Sequence, residues 1–287
     1  MSGVDKVLQF HCDLDDLVGI LSLPLTEATR GVLIVVGGPQ YRAGSHRQFT
    51  LLARDLSASG VAAMRFDYRG MGDSEGDVRS FEEVDNDLRA AVDAFFTAVP
   101  TLKSVVLWGL CDGACAALFY APHDARVSGV VLLNPWVHTE VGAARTRLKH
   151  YYLRRFMERT FWQKLLRGKF DPITAVRSLT ETLKRSRATS PALDKPADAA
   201  NQPTLPDRMR ESFHQFQGNI LLILSGRDLT AKQFLDTATS SKEWRKILRS
   251  PRIQRHDLAE ADHTFSQRVW RNRVSAWTVD WLSSKIK

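Results

Sequence analysis

The stretch that decides the fold runs from residue 105 to residue 113 and reads Val-Val-Leu-Trp-Gly-Leu-Cys-Asp-Gly. Its apolar start predicts a strand, and the Ala-rich sequence that follows predicts the first turn of a helix. The glycines of the Gly-x-Cys-x-Gly turn allow the strand and the helix to pass close together. Such a turn presents the Cys111 thiol at the carboxyl end of the strand. The alternative is a structural cysteine beside a tight turn, because free cysteines are often buried.

A candidate acid and a candidate base follow this turn in chain order. Asp228 comes shortly after the apolar run 220–224, and His263 follows a later predicted strand over 252–258. This order predicts a Cys–His–Asp triad in which His263 accepts the proton of the thiol. Asp228 then orients the imidazole and stabilises its charged form. Three further acidic residues near His263 are alternatives for the acid: Asp257, Glu260 and Asp262.

Strands alternate with helices over the first 135 residues and again from residue 219. This alternation predicts an α/β fold with a mostly parallel central sheet and helices on both faces. An inserted helical cap is expected where the pattern breaks, which gives three segments: core 1–136, cap 137–216 and core 217–287. The predicted strands are 7–12, 17–23, 31–36, 61–66, 104–109, 127–133, 220–224 and 252–258, and the clearest helices are 49–56 and 81–96.

A loop after the third predicted strand completes the candidate site. Residues 37–41 read Gly-Gly-Pro-Gln-Tyr, at a position where a backbone N–H can stabilise an oxyanion. We expect the first oxyanion donor to be the N–H of Asp112. The second is the N–H of Gly38 or Gln40, because Pro39 has none. An ordinary Gly-Pro turn is the alternative interpretation of the loop.

These motifs occur in one order along the chain: Asp-x-Arg-Gly-x-Gly-x-Ser at 67–74, then Gly-x-nucleophile-x-Gly, then the late Asp and His. We interpret the first of them as a structural turn. In this order the chain resembles the α/β-hydrolase superfamily over almost its whole length. Residues 37–49, 108–112 and 134–136 are similar to the exosortase A system-associated hydrolase 1 family. Its members occur in bacteria that export polysaccharide, so the resemblance implies a cellular context rather than a chemistry. Cysteine in place of the usual serine at position 111 resembles the arrangement in dienelactone hydrolases and polyester synthases, which carry a cysteine in the same turn.

A thiol nucleophile influences which acyl groups are cleaved. Thiolates are strong nucleophiles, and a helix N-terminus or a nearby imidazolium stabilises them. With an amide, the thiolate leaves the tetrahedral intermediate before the amine does, unless His263 protonates the nitrogen first. The sequence therefore favours an ester, lactone or thioester hydrolase that forms an acyl-enzyme. An acyltransferase with the same triad and a non-catalytic scaffold that binds an anionic partner are the alternatives.

The composition is typical of an intracellular globular enzyme. The chain has 287 residues, of which 44% are hydrophobic and 25% charged, enough for one large domain with an insertion. No secretory signal or membrane-spanning run is recognised. Three cysteines without a Cys-x-x-Cys pair or a Cys/His cluster predict neither a disulfide framework nor a zinc site, and we expect no metal and no cofactor. A cytoplasmic location follows, where a catalytic thiol stays reduced.

Positive charge is concentrated in the predicted cap. Residues 141–190 contain 13 Lys and Arg and three acidic residues, a net charge of +10, whereas the whole chain carries +8. One interpretation is an anionic small-molecule acyl substrate, CoA- or lipid-linked, or peripheral contact with an anionic membrane. The other is a solvated helix face. Nucleic acid is not expected, because no binding motif accompanies the charge. The candidate contact residues are Tyr152, Arg154, Arg155 and Arg159.

Overall fold

The structure, a computed structural model, describes residues 3–38, 40–137 and 203–286. Within these ranges, no helix has both the length and the apolar character needed to cross a membrane. The four candidate cap residues lie outside the described residues, and their role stays a prediction: Tyr152, Arg154, Arg155 and Arg159. The chain divides into two compact units, Met1–Val137 together with Pro206–Lys287, and His138–Leu205.

An eight-stranded sheet forms the centre of the first unit. Its strands are β1 Val4–Cys12, β2 Asp15–Leu23, β3 Arg30–Val35, β4 Ala62–Phe66, β5 Ser104–Leu110, β6 Val127–Leu133, β7 Asn219–Ser225 and β8 Ile253–Leu258. The spatial order is β1-β2-β4-β3-β5-β6-β7-β8. Strand β2 is antiparallel to both of its neighbours, whereas all pairings from β4 to β8 are parallel. Each strand lies within three residues of its predicted ends, and the mostly parallel sheet confirms the predicted α/β architecture.

The apolar runs of the central strands explain why helices cover the sheet. Nearly every residue of β3, β4 and β5 is buried. Because successive side chains of a strand point to opposite faces, both faces must be covered. The helices of the described ranges are α1 Gln48–Ala58, α2 Asp85–Ala98, α3 Asp112–Tyr120, α4 Leu205–Gln215, α5 Leu229–Ser240, α6 Lys242–Leu248 and α7 Arg268–Lys285. Helix α1 contacts α7, and α2 contacts α3.

Helix α2 begins four residues later than predicted. The segment before it forms a turn, in which the Glu83 N–H donates to the Ser80 carbonyl at 2.9 Å. Asp85 and Asp87 occupy the first helical turn, where negative charge interacts favourably with the helix dipole. Asp87 is fully buried and accepts hydrogen bonds from the backbone N–H and the guanidinium of Arg69, at 2.9 Å and 3.0 Å. This ion pair anchors the turn after β4 to α2, which explains the helix start.

Strand β5 and helix α3 meet at the turn that contains Cys111. A Cβ atom on Gly109 would lie 2.3 Å from the carbonyl oxygen of Gly113 and 2.6 Å from the nitrogen of Ala114. A Cβ on Gly113 would lie 2.6 Å from the carbonyl oxygen of Val35. Backbone atoms cannot move aside as a flexible side chain can, so both positions require glycine. The two glycines therefore allow the end of β5 to lie against the start of α3.

We expect Gly109→Ala to lower the free energy of unfolding by about 3 kcal/mol or more, because the added methyl group overlaps the backbone of α3. Gly60→Ala is the matched control. At Gly60, φ is 82° and the nearest atom to a new Cβ is Thr26 Oγ1 at 4.0 Å, so only backbone strain is added. That strain costs about 1 kcal/mol. Urea unfolding followed by circular dichroism measures both values. Equal stability of the two variants would contradict the packing argument.

Candidate active site

Cys111 lies between β5 and α3 in a strained conformation. Its φ of 61° and ψ of −123° are rarely adopted by residues other than glycine and cost about 1–3 kcal/mol. Backbone hydrogen bonds hold this geometry: the Cys111 N–H donates to Leu133 at 2.9 Å, and its carbonyl accepts from Ala114 at 3.2 Å and Trp136 at 3.3 Å. The residue is partly exposed. Strain at a partly exposed nucleophilic side chain is a common property of active sites.

Asp228 lies beyond β7, at the N-terminus of α5. One carboxylate oxygen accepts the N–H of Thr230 at 3.1 Å, and the other accepts that of Ala231 at 3.0 Å. The second oxygen also lies 2.9 Å from Nδ1 of His263. Burial raises the pKa of Asp228, but the hydrogen bond and charge of His263, together with the two N–H groups, lower it below its ordinary value. Asp228 is therefore ionised at neutral pH.

His263 interacts with both of the other predicted triad members. Its hydrogen bond with Asp228, and then that with Cys111, raise the pKa of His263 to about 10, although burial acts in the opposite direction. The ring is therefore an imidazolium at neutral pH. Because Nδ1 faces Asp228, Nε2 is the ring nitrogen left for Cys111. An imidazolium in this position stabilises a thiolate. The structure thus brings Cys111, His263 and Asp228 together.

The other acidic residues near His263 have different partners. Asp257 forms an ion pair with Arg255 at 2.8 Å. Asp262 accepts a hydrogen bond from the N–H of Ser266 at 2.9 Å. Glu260 is exposed to solvent. Of the four acids considered from the sequence, Asp228 is the one whose carboxylate contacts the imidazole.

Asn134, which the sequence analysis does not assign to the site, connects the loops that carry the acid and the base. Its side-chain amide donates to the carbonyl of His263 at 2.9 Å and accepts the N–H of Ser225 at 2.8 Å. Its own N–H donates to Ile223 at 3.1 Å. Asn134 is fully buried with a φ of 43°, a conformation that Asn tolerates better than most residues. The signal in the sequence is an Asn-Pro pair directly after a predicted strand.

The loop after β3 contacts the first residue of α3. A Cβ atom on Gly37 would lie 2.4 Å from Oδ1 of Asp112. The N–H of Gln40 donates to the carbonyl of Gly38 at 2.8 Å. The side-chain oxygen of Gln40 accepts the N–H of Ser45 at 3.0 Å. The Gln40 N–H is therefore engaged within its own loop. The N–H of Gly38, the other candidate for the second oxyanion donor, faces the Asp112 carboxylate. The choice between the two donors therefore stays a prediction.

A cavity of about 380 Å³ lies beside this loop. Its walls come from the loops after β3 and β4, at the carboxyl edge of the parallel strands. The buried carboxylate of Asp67 joins these loops, because it accepts the N–H groups of Arg42 at 2.6 Å and of Asp73 at 3.2 Å. None of the triad residues is among its lining residues. The lining residues are Gln40, Tyr41, Met71, Gly72 and Asp73.

A larger depression, of about 530 Å³, lies at the opposite edge of the sheet. Its residues lead from α6 into the start of β8, whereas the triad residues follow the carboxyl ends of strands. Open α/β sheets bind ligands at the carboxyl ends, so we assign the candidate site to that edge despite the smaller cavity. The residues of the larger depression are Lys242, Arg245, Lys246, Arg249, Ser250 and Pro251.

The other two cysteines lie in environments that favour the protonated thiol. Cys115 is fully buried, and its sulfur lies 3.0 Å from the carbonyl oxygen of Trp136. Burial raises the pKa of Cys115 well above its ordinary value, and it raises that of Cys12 to about 11. Thiolates are the reactive form of cysteine. Cys111, which is partly exposed and faces an imidazolium, is therefore the cysteine whose surroundings suit a nucleophile.

The hydrogen bond with Asp228 is the largest cause of the raised pKa of His263, so Asp228→Asn should lower that pKa. A ring nitrogen NMR titration, assigned with His263→Gln, measures it. The pKa of His263 in the folded protein lies above its ordinary value of 6.5. The interaction with Asp228 therefore stabilises the protein fully below about pH 6.5, and this stabilisation is lost as the pH rises through about 10. A His263 pKa that is unchanged in Asp228→Asn would contradict the assignment of the acid.

Asn134→Ala removes the donor that holds the His263 carbonyl and leaves the N–H of Ser225 without its acceptor. We expect the free energy of unfolding to fall by about 1–3 kcal/mol, as for other buried hydrogen bonds. We also expect iodoacetamide to alkylate Cys111 about tenfold more slowly, because a displaced imidazolium stabilises the thiolate less well. Asn134→Asp, which keeps an acceptor for Ser225, separates the two effects. Normal alkylation in a folded Asn134→Ala protein would exclude a positioning role.

Three solved structures with the same fold are distant in sequence. The Pyrococcus furiosus esterase Pf2001 is 14% identical with a TM-score of 0.67, and the match covers 99% of this chain and 92% of that chain. A dienelactone hydrolase from Anabaena variabilis is 16% identical with a TM-score of 0.63, over 100% of both chains. Est1E from Butyrivibrio proteoclasticus, solved with ferulic acid, is 16% identical with a TM-score of 0.63, over 97% of this chain and 99% of that chain. At these identities the likeness concerns the fold alone.

A curated relative is the quorum-quenching protein AidA of Acinetobacter baumannii (strain MDR-ZJ06), which is 30% identical over 119 residues. The match covers 39% of this chain and 38% of that protein, so this chain spans less than half of the relative's length. A family model described as serine aminopeptidase, S33, matches residues 27–233, which is more than two thirds of the chain. Its description names a serine, whereas position 111 is cysteine. The chain belongs to the serine aminopeptidase S33 family and has the α/β-hydrolase fold.

Proposed function

We propose that this protein is a cysteine-dependent acyl hydrolase, which cleaves an ester, a lactone or a thioester through an acyl-enzyme on Cys111. The observation that carries the proposal is the position of His263, hydrogen-bonded to the ionised Asp228 on one side and to Cys111 on the other. A purely structural cysteine requires neither a strained turn nor an imidazolium beside it. Membership of a hydrolase family supports the same conclusion.

Acylation begins with the Cys111 thiolate and the His263 imidazolium. The thiolate attacks the carbonyl carbon of the substrate, a C–S bond forms, and the carbonyl π electrons move to oxygen. The backbone N–H groups of Asp112 and Gly38 stabilise this oxyanion, and the loss of one such donor costs about 10²–10³ in rate. The intermediate then collapses, the bond to the leaving group breaks, and His263 donates its proton to the departing alkoxide or thiolate.

Deacylation uses the same groups in reverse. Neutral His263 removes a proton from water, and the resulting hydroxide attacks the thioester carbonyl of the acyl-enzyme. The second tetrahedral intermediate releases the carboxylic acid and restores the Cys111 thiolate beside the His263 imidazolium. Asp228 remains ionised throughout, because its role is to orient the ring and stabilise its charge. With an alcohol or a thiol in place of water, the same steps give acyl transfer.

The nucleophile determines the favoured substrate class. In an amide substrate the thiolate is a better leaving group than the unprotonated amine, so the intermediate returns to substrate more often than with an ester. The serine-to-cysteine change therefore favours esters, lactones and thioesters over the peptides that the family description suggests. Similar structures include esterases and a dienelactone hydrolase, which supports testing esters and lactones first.

Further expectations belong to the same proposal. The basic segment 141–190 favours an anionic acyl substrate, CoA- or lipid-linked, or contact with an anionic membrane surface. The resemblance to exosortase A system-associated hydrolases favours a role in bacterial polysaccharide export and protein sorting. A cytoplasmic location agrees with a reduced catalytic thiol. The acyltransferase and non-catalytic scaffold alternatives are distinguished from hydrolysis by the experiment that follows.

Replacement of each triad residue tests the proposal. We expect Cys111→Ala, His263→Ala and Asp228→Ala each to lower kcat/KM by about 10³-fold or more, and pairs of replacements to add little further loss, because the residues act as a unit. The measurement is turnover of aryl esters, lactones and acyl thioesters, with and without an alcohol or thiol acceptor. Urea unfolding verifies that each variant is folded.

Cys115→Ala is the matched control, since it removes a buried thiol one helical turn away and should retain turnover. Near-normal turnover by Cys111→Ala would contradict the proposal. Turnover that requires an acceptor would identify a transferase. An unmodified protein that turns over none of the three substrate classes would favour the scaffold alternative.

A further inference from the structure

The side chain of Asp112 reaches the N–H groups that the proposed mechanism assigns to the oxyanion. Its Oδ1 accepts the N–H of Gly113 at 3.0 Å. The backbone N–H groups of Gly38 and of Asp112 itself also lie close enough to the carboxylate to lower its pKa. The last two are the proposed oxyanion donors. The carboxylate of Asp112 and the substrate oxyanion therefore compete for the same donors.

Close packing holds the carboxylate in this position. A Cβ atom on Gly37 would lie 2.4 Å from Oδ1 of Asp112 and 2.8 Å from the Gly113 nitrogen, so the glycine leaves room for the carboxylate. Burial raises the pKa of Asp112, and it outweighs the opposing effects of the three N–H groups and of His263. Protonation, which removes the charge that attracts the N–H groups, is therefore easier for Asp112 than for an exposed aspartate.

Tyr68 provides a second observation near Asp112. The Tyr68 side chain is 7% exposed, and its hydroxyl has no hydrogen-bond partner among the described residues. Burial, and then the negative charge of Asp112, raise the pKa of Tyr68 well above its ordinary value. A buried hydroxyl without an acceptor is unusual and agrees with a second arrangement of the nearby carboxylate. The titratable groups that interact electrostatically with Asp112 are Tyr68, His263 and Cys115.

We propose that Asp112 is a gate: in the resting protein its carboxylate occupies the oxyanion pocket, the space that faces the N–H groups of Gly38 and Asp112, and the substrate's carbonyl oxygen must displace it. This inference rests on the proposed function of Cys111. The gate reduces the affinity for any ligand that places an oxygen in the pocket. The apparent affinity equals the intrinsic affinity multiplied by the fraction of molecules in which the pocket is open, so a smaller open fraction gives weaker binding. Substrates that compete well for the N–H groups are therefore selected over those that do not.

An alkyl trifluoromethyl ketone tests the gate. The Cys111 thiolate adds reversibly to its carbonyl carbon, a C–S bond forms, and the π electrons move to the oxygen, which enters the oxyanion pocket. We expect Asp112→Ala, which keeps the backbone N–H, to bind this ketone about tenfold more tightly than the unmodified protein at about pH 8. The ratio should fall as the pH is lowered, because protonated Asp112 competes less well.

Three comparisons make the result specific. Asp112→Asn keeps the shape of the side chain without its charge and should give an intermediate affinity, which also covers a failure of Asp112→Ala to fold. Glu260→Gln removes an exposed carboxylate near His263 and should change nothing. Alkylation by iodoacetamide forms no oxyanion, so its rate measures changes in thiolate reactivity separately.

Three results would overturn the inference, and they differ. A ketone adduct on Cys111 with no gain of affinity in Asp112→Ala or Asp112→Asn would overturn the gate alone. Absence of the adduct in every variant, together with absent alkylation of Cys111, would overturn the proposed function and the gate with it. A gain of affinity that does not change as the pH is lowered from about 8 would also contradict a carboxylate that acts through its charge.

Discussion

The close approach of β5 and α3 is the constraint on which the rest of the site depends. Because Gly109 and Gly113 carry no side chain, the strand reverses into the helix within a few residues, and Cys111 is held in a conformation that it would not adopt in a relaxed chain. The same turn places the backbone N–H of Asp112 beside the thiol. The positions of the proposed nucleophile and of the proposed first oxyanion donor thus both follow from a single packing contact, and the sheet provides the rigidity that resists its strain.

The acid and the base are positioned by backbone bonds rather than by their mutual attraction alone. Both oxygens of the Asp228 carboxylate cap α5, and one of them also contacts Nδ1 of His263. Asn134 holds the His263 carbonyl and the N–H of Ser225, which joins the end of β7 to the loop after β8. An imidazole fixed at both its ring and its backbone loses little freedom on reaction. This preorganisation keeps the imidazole in place for the proton transfers of the proposed mechanism.

The strands, and the meeting of Cys111, His263 and Asp228 in space, could be predicted because their signals are local. Apolar runs end in Gly, Asp or Asn, and the order of Cys111, Asp228 and His263 along the chain is itself informative. The late start of α2 could not be predicted, since the buried Arg69–Asp87 pair is made across the fold. The roles of Asn134 and the Asp112 carboxylate also depend on contacts between loops that are distant in sequence. The basic segment remains a prediction, because it lies outside the described residues.

The most direct test of the central claim is to identify the covalent intermediate. The protein is mixed with an acyl thioester or aryl ester, quenched in acid within its first turnovers, and analysed by intact mass and peptide mapping. The account predicts a mass increase equal to the acyl group, located on Cys111 and absent from Cys111→Ala. Turnover without any acyl adduct, or an adduct located on Cys12, Cys115 or a serine, would contradict it.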